Sequence, residues 1–402
     1  VPGRRIALAT AAIGALLAAA ACSSPPNGSS TDVGTSRSGV RWVVSLGDSY
    51  ISGEGARWAG NTDGSPKQVD ALGPFAYGRQ RHHENARDCD RAIRPEVEID
   101  YADLRGKNLA CSGAETATTT DGASVTPGVD FHHRGRSAGQ ALLLERFASI
   151  HQVTAVVLSI GGNNFSFATV LTRCVEDFLK SSVGAHTYCS EDPALAAYFS
   201  PSHVADVQRQ IEGAITNITT AMRRAGSSPS DYRIVVQTYP SPVPPGDRFR
   251  YPPTFAARFQ LGGCPFYDRD ATWANSTVLP AINGAVRKAV AASGDHNMTL
   301  LDLSRAFAGH RLCERGSAQL QESGLASWRS PGAASALEWV NAVYLDATPW
   351  RIQESAHPNY WGTAAERSCL RQVIMHPPVA RVSCVRDGTA MSGHEPKMTL
   401  TG

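Results

Sequence analysis

The 402-residue chain lacks a decided charge of either sign, with 38 Lys+Arg against 36 Asp+Glu and a formal net charge of +2. A phosphate polyanion is normally met by a clustered basic excess, so nucleic acid is excluded as an expected partner. The chain also offers little that could span a bilayer. Its N-terminal apolar run, residues 6–21, is sixteen residues long, where a spanning helix needs about 20. No Cys-x-x-Cys or His-x-x-x-His spacing occurs, which argues against zinc, and no internal repeat is evident. What the chain does have is an ordinary apolar fraction, 42%, enough for a large buried core and against disorder. Length alone allows two or three domains or one α/β domain with long loops.

Arg4 and Arg5 precede the apolar run, an arrangement of basic and apolar regions that reads as an export signal over 1–21. The run ends Ala19-Ala20-Ala21-Cys22. A Cys directly after small residues is where bacterial lipoprotein processing cleaves and lipidates, so Cys22 is the expected lipid site and would anchor the protein to a membrane; the alternatives are simple secretion and, last, a retained helix. Residue 19 is Ala rather than the usual Leu of such sites. Residues 22–40, rich in Ser, Gly, Pro and Thr, suit a flexible linker. The folded body is expected over 41–384, with 385–402 a loose tail.

With Cys22 set aside, eight of the nine cysteines remain, an even number in a chain expected to be exported. Eight thiols allow about a hundred pairings, and the sequence does not choose among them. The preferred set is sequential, Cys89–Cys111, Cys174–Cys189, Cys264–Cys313 and Cys369–Cys384, each stapling a loop between core elements.

Five short runs rich in aliphatic residues are followed by turn or capping residues: Trp42–Leu46, Asn108–Cys111, Ala155–Ile160, Arg233–Tyr239 and Met298–Leu303. That is the pattern of buried parallel strands. Helical patterns lie between them, at Ala138–Ile150, along Val204, Val207, Ile211, Ile215, Ile218 and Met222, and along Val278, Ile282, Val286 and Val290. Strands alternating with amphipathic helices predict a three-layer α/β/α sandwich around a parallel sheet. The long irregular stretches at 53–107, 115–137, 165–201, 240–272 and 304–352 read as loop elaborations of one domain.

Four segments carry chemistry. The first strand runs straight into Gly47-Asp48-Ser49-Tyr50 and on to Ser52-Gly53-Glu54-Gly55. Ser49 therefore falls at the carboxyl edge of the sheet, where open α/β folds bind ligands; alone, a serine there is a helix cap. Ala110-Cys111-Ser112-Gly113-Ala114 and Gly161-Gly162-Asn163-Asn164 leave two further strands through glycine turns. The fourth segment, Glu354-Ser355-Ala356-His357-Pro358-Asn359, precedes a helical pattern through Cys369. Together they supply a nucleophile, oxyanion donors, a base and a carboxylate, the parts acyl transfer requires.

In order and approximate spacing these blocks resemble the SGNH hydrolase superfamily, also called GDSL esterases and lipases, over residues 41–370. The form G-D-S-Y-x-S-G-E-G, with A-C-S-G-A and H-P-N-x-x-G, is most similar to its exported bacterial branch. The resemblance implies Ser49 as nucleophile and His357 as base. It implies an oxyanion hole from the backbone N–H groups of Ser49 and Gly113 and the side-chain amide of Asn163. It also implies a flavodoxin-like sandwich with a five-stranded parallel sheet, and neither metal nor organic cofactor.

The sequence departs from the family at three places. Tyr50 replaces a Leu and is expected to stay clear of the chemistry. Asn164 replaces an Asp, so the local support of Asn163 is expected to differ. Glu354 stands where the family has Asp three residues before the histidine; the extra methylene displaces the carboxylate by over an ångström, yet Glu serves as third member in some serine hydrolases. Glu354 is the first choice to orient His357, a main-chain carbonyl the second, and Asp346 the third. His82-His83 and His132-His133 read as solvated pairs, Pro240–Pro253 as a rigid loop bordering the cleft, and Trp58, Phe165, Phe167, Trp350 and Trp361 as core or acyl-pocket aromatics.

The expected function is a monomeric, exported hydrolase of carboxylic esters, with lipid or short-acyl substrates, passing through an acyl-Ser49 intermediate. The alternative substrate is O-acetylated carbohydrate. The alternative class is an envelope binding protein that kept the scaffold without turnover.

Overall fold

Alternate residues of the expected strands face opposite ways, and the two resulting apolar faces build two separate cores. In the computed structural model, which describes residues 39–78, 89–101, 103–122, 124–181, 186–345, 349–392 and 395–402, Val43, Ala155, Val157, Val235 and Leu301 feed one core. Val44, Leu46, Val156, Leu158, Ile234, Val236 and Leu300 feed the other. Strands buried on both faces are what parallel sheets require. Residues 1–21, Cys22, His82, His83 and Asp346 lie outside the described residues.

The main sheet has strands β1 (Arg41–Gly47), β2 (Leu104–Asn108), β3 (Gln152–Ser159), β4 (Arg233–Gln237), β5 (Met298–Asp302), β6 (Arg381–Ser392) and β7 (Glu395–Thr401). Their order is β7-β6-β5-β4-β3-β1-β2. All pairings are parallel except β6 with β7. Four of the five expected runs form strands, and with β2 beside β1 the first five strands stand in the order 2-1-3-4-5, but the sheet has seven strands rather than five.

Two expectations are corrected here. Strand β2 lies earlier than the run Asn108–Cys111: its register pairs Arg41 with Leu104 and Ser45 with Asn108. Leu109 and Cys111 then follow β1 only through single bonds to the Ser45 and Gly47 carbonyls. The segment 385–402 is not a loose tail. Polar residues alternate there with a few apolar ones, Met398 is buried within it and Val382 and Cys384 just before it, and the strands β6 and β7 pair antiparallel and extend the sheet. The pattern is too sparse to announce a strand until an edge strand, β5, is there to receive it.

Helices α1 (Gln140–Ala148), α3 (Pro201–Arg224) and α4 (Leu279–Ser293) cover one face. Their buried positions recur at spacings of three or four, as in Val207, Ile211, Ile215, Ile218 and Met222. The other face is covered by α5 (Tyr360–Met375), α2 (Phe167–Lys180) and irregular chain contributing Phe249, Phe307 and Trp339. Helix α2 lies inside a stretch expected to be irregular. Six of the eight paired cysteines sit in this second core, where loops do the work of helices. The four disulfides are Cys89–Cys111, Cys174–Cys189, Cys264–Cys313 and Cys369–Cys384, the sequential set. Closing such loops contributes about 2–4 kcal/mol each. No helix among the described residues is long and apolar enough to cross a membrane.

Candidate active site

Because β1 to β4 run parallel, the turns that leave them open onto one edge. At the end of β1, Gly47 has φ +139°, and a Cβ there would stand 1.9 Å from the Ser159 carbonyl oxygen. Only glycine lets β1 turn so close to β3. Asp48 then caps a single helical turn, Ser49–Ser52, by accepting the Tyr50 N–H. Ser49 is thus the first helical residue, buried yet lining the cleft.

His357 arrives from the opposite side, just before α5. Asn359 caps that helix by accepting the N–H groups of Trp361 and Gly362. Ala356 takes φ +59°, a conformation uncommon for a residue with a Cβ. Its N–H bonds the Asn341 carbonyl, and its own carbonyl accepts the Tyr50 hydroxyl at 3.1 Å. Tyr50 therefore is not clear of the site: its ring also lies 5.4 Å from the His357 ring.

The Ser49 Oγ and His357 Nε2 are 2.7 Å apart. His357 Nδ1 lies 3.1 Å from the Ser355 carbonyl oxygen. A carbonyl can only accept, so Nδ1 carries the hydrogen, and Nε2 of the neutral ring is left to accept from the serine hydroxyl. Burial pushes the His357 pKa down to about 4, against the opposing pull of the Ser355 and Gln353 carbonyls. At neutral pH the ring is a free base.

Glu354, the first choice to orient His357, is directed elsewhere. Its carboxylate accepts Tyr77 Oη–H at 2.7 Å and Trp58 Nε1–H at 2.6 Å. Both carboxylate oxygens are thus engaged by groups other than the imidazole, and burial raises its pKa. The second choice, a main-chain carbonyl, is the group that faces Nδ1. Asp346, the third, lies outside the described residues.

Gly113 has φ +72°, next to Cys111, whose disulfide to Cys89 and N–H bond to the Gly47 carbonyl fasten this turn beside β1. Asn163 opens a 3-10 turn after Gly161 and Gly162, and its side-chain amide donates to the Ala114 carbonyl at 2.9 Å. Asn164 accepts the Thr116 N–H and donates to Thr116 Oγ1, so it ties the two turns together where the usual Asp could only accept. A further bridge is Tyr239: its hydroxyl donates to Asp48 Oδ2 and accepts the Gly162 N–H at 3.1 Å. Burial pushes Asp48 up to about 7 in spite of these bonds.

Ser49, Gly113, Asn163 and His357 line one cleft of about 220 Å³. Its remaining wall is largely apolar, from Phe167, Leu171, Pro240, Pro242, Leu279 and Ile282. Among the flagged aromatics Phe167 reaches it, Phe165 and Trp361 belong to the core, and Trp58 holds Glu354. Of Trp350 only the backbone, within Pro349–Gln353, is described. His133 is exposed and His132 half-buried, and no group of three or more His, Cys, Asp or Glu among the described residues could hold a metal ion.

Sequence reasoning pointed to Phe167 and to the Pro240–Pro253 loop but missed the rest of the apolar wall, Leu171, Leu279 and Ile282, as well as Tyr239, and Glu54 with Ser112. Ser112 Oγ donates to Glu54 Oε2, which lies 3.6 Å from His357 Nε2. The only available signal was that both stand inside the two motif blocks.

No protein-family model and no curated protein matches the chain. Among solved structures, similar ones include an extracellular lipase from Streptomyces rimosus, 20% identical, covering 83% of this chain and 99% of that one with a TM-score of 0.44. A phospholipase A1 from Streptomyces albidoflavus NA297 is 19% identical, with the same coverages and a TM-score of 0.43. An active-site mutant of a family two carbohydrate esterase from Clostridium thermocellum is 12% identical over 83% of this chain and 63% of that one, with a TM-score of 0.33. Likeness this loose leaves the activity to be argued from the residues.

Proposed function

We propose that the protein is a serine hydrolase of carboxylic esters, belonging with the SGNH hydrolases, with Ser49 as nucleophile and His357 as its base. The observation that carries this reading is the 2.7 Å contact between Ser49 Oγ and His357 Nε2, the nitrogen left to accept when Nδ1 donates to the Ser355 carbonyl, inside a cleft that Gly113 and Asn163 also line. A serine hydroxyl is barely ionised at neutral pH and needs such a base. Nε2 takes the proton as Oγ attacks the ester carbon. The backbone N–H groups of Ser49 and Gly113, with the Asn163 amide, are the donors for the developing oxyanion, each worth about 3–4 kcal/mol. The Ser355 carbonyl holds the imidazole in the reactive tautomer. The alcohol departs with the proton, and water releases the acid from acyl-Ser49.

The apolar wall of Phe167, Leu171, Leu279 and Ile282 favours an acyl chain over an acetylated sugar as the group held beside Ser49. Four disulfides suit an oxidising compartment and hence export. Cys22 as the lipid anchor, the 1–21 signal and a monomeric state belong to the same reading. The test is hydrolysis of p-nitrophenyl esters of graded chain length beside acetylated sugars, with Ser49→Ala and fluorophosphonate labelling. The reading requires labelling of the unmodified protein alone; activity that survives Ser49→Ala removes it.

A further inference from the structure

The imidazole has an ordinary partner at each nitrogen, yet the nearest carboxyl group stands at the nitrogen where a serine hydrolase does not need one. Glu54 Oε2 lies 3.6 Å from His357 Nε2. That separation is too long for a hydrogen bond and short enough for one oxygen atom to touch both. The side chain is 4% exposed and lines the cleft. Two things fix it: its own N–H bonds the Ser49 carbonyl, and its Oε2 accepts Ser112 Oγ–H. Ser112 immediately precedes Gly113. A carboxyl group buried this deeply is costly unless something answers it, and one hydroxyl leaves a lone pair of Oε2 unused.

We infer that Glu54 is a positioning residue for the water that cleaves the acyl-enzyme, holding one O–H of that water at Oε2 while the other O–H points at His357 Nε2. The inference rests on the proposed roles of Ser49 and His357. In acyl-Ser49 the Oγ has lost its hydrogen, so Nε2 has no donor and the water fills that place. The water oxygen bonds to the acyl carbon, the bond from that carbon to Oγ breaks, and the proton taken by Nε2 passes on to Oγ. Glu54 gains and loses nothing. Burial, aided by Asp90, Glu354 and Asp48 and opposed by the Ser112 bond, pushes its pKa up to about 8. At neutral pH it therefore does not trap His357 as an imidazolium, which a carboxylate at that distance would do.

Pre-steady-state hydrolysis of p-nitrophenyl butyrate separates this role from a structural one, because p-nitrophenolate leaves during acylation without help from a water. Glu54→Ala is expected to keep the rate of the p-nitrophenol burst and to slow the subsequent turnover by about 10–100-fold, so that the burst approaches one equivalent. Glu54→Gln retains an acceptor oxygen and should restore turnover to within a few-fold of the unmodified enzyme. Ser112→Ala, which frees the carboxyl without removing it, should show the same split to a smaller degree and serves if Glu54→Ala does not fold. Equal loss of burst and turnover rates, or unchanged turnover in the folded Ala variants, overturns the assignment. Failure of the unmodified protein to hydrolyse any ester overturns the Ser49–His357 reading instead, and this inference with it.

Discussion

Replacing Glu354 with Gln separates two accounts of the same carboxylate. Were it the group that orients His357, its loss would cost about 10⁴-fold in kcat, as when a triad acid is replaced by its amide. The hydrogen bonds give a different expectation. Both oxygens accept, one from Tyr77 and one from Trp58. A glutamine keeps one acceptor oxygen and turns its NH₂ toward the second donor, leaving a buried donor unsatisfied at a cost of about 1–3 kcal/mol. Stability should therefore fall, by roughly 2–4 °C in melting temperature for each kcal/mol or somewhat less in a domain of this size. The Ser355 carbonyl still faces His357 Nδ1 at 3.1 Å, so kcat/KM should stay within about tenfold of the unmodified enzyme. The assay is steady-state hydrolysis of p-nitrophenyl butyrate beside a thermal melt on the same preparation. A fall in kcat of about 10³-fold or more with an unchanged melting temperature would refute the reasoning.

Other perturbations bear on the remaining parts. With the His357 pKa lowered to about 4, the base is unprotonated above that value, so the acid limb of kcat/KM should have its midpoint near pH 4 rather than near 6.5, read from initial rates; a midpoint at 6.5 or above contradicts the burial argument. Tyr50→Phe removes the bond to the Ala356 carbonyl and should destabilise the protein by about 1 kcal/mol, with a several-fold drop in kcat if the loop carrying His357 shifts; denaturant titration and kinetics check both. Gly47→Ala would place a Cβ 1.9 Å from the Ser159 oxygen and is expected to abolish soluble, active protein, which expression and labelling would reveal. Changing Cys89 and Cys111 together to Ser should cost about 2–5 kcal/mol and lower activity through the Gly113 turn that the disulfide fastens; full activity at ordinary temperature would detach that turn from the site.

What could be read early and what could not differ in physical kind. The buried strands announce themselves through aliphatic runs, and α3 through its three-and-four spacing, because a residue's burial is set by which side of its own element it faces. Helix α2 was hidden because its apolar positions, Val170, Cys174, Val175 and Phe178, sit among charged residues in a stretch dominated by loop-forming neighbours. The strands β6 and β7 were hidden for another reason. Strand β6 depends on an edge supplied by β5, some eighty residues earlier in the chain, and β7 pairs only with β6; a local pattern carries no trace of that edge.

The site divides along the same line. Glycine turns after aliphatic runs, a serine at the first and a histidine before a helix are local features, and local chemistry dictates them: a strand that must turn sharply takes Gly47, and a helix start takes Asp48 or Asn359. The partners of each side chain are a matter of three dimensions. Glu354 and the Ser355 carbonyl are adjacent in the chain, and only the placement of Trp58 and Tyr77, both remote, sends the carboxylate away and leaves the carbonyl to His357. Glu54 likewise is just a polar residue in a glycine-rich turn until the folded chain brings Ser112 and His357 to it. Residue types and their order were written in the sequence; which acceptor meets which donor was decided by packing, because a hydrogen bond depends on distance and direction and neither is a property of sequence spacing.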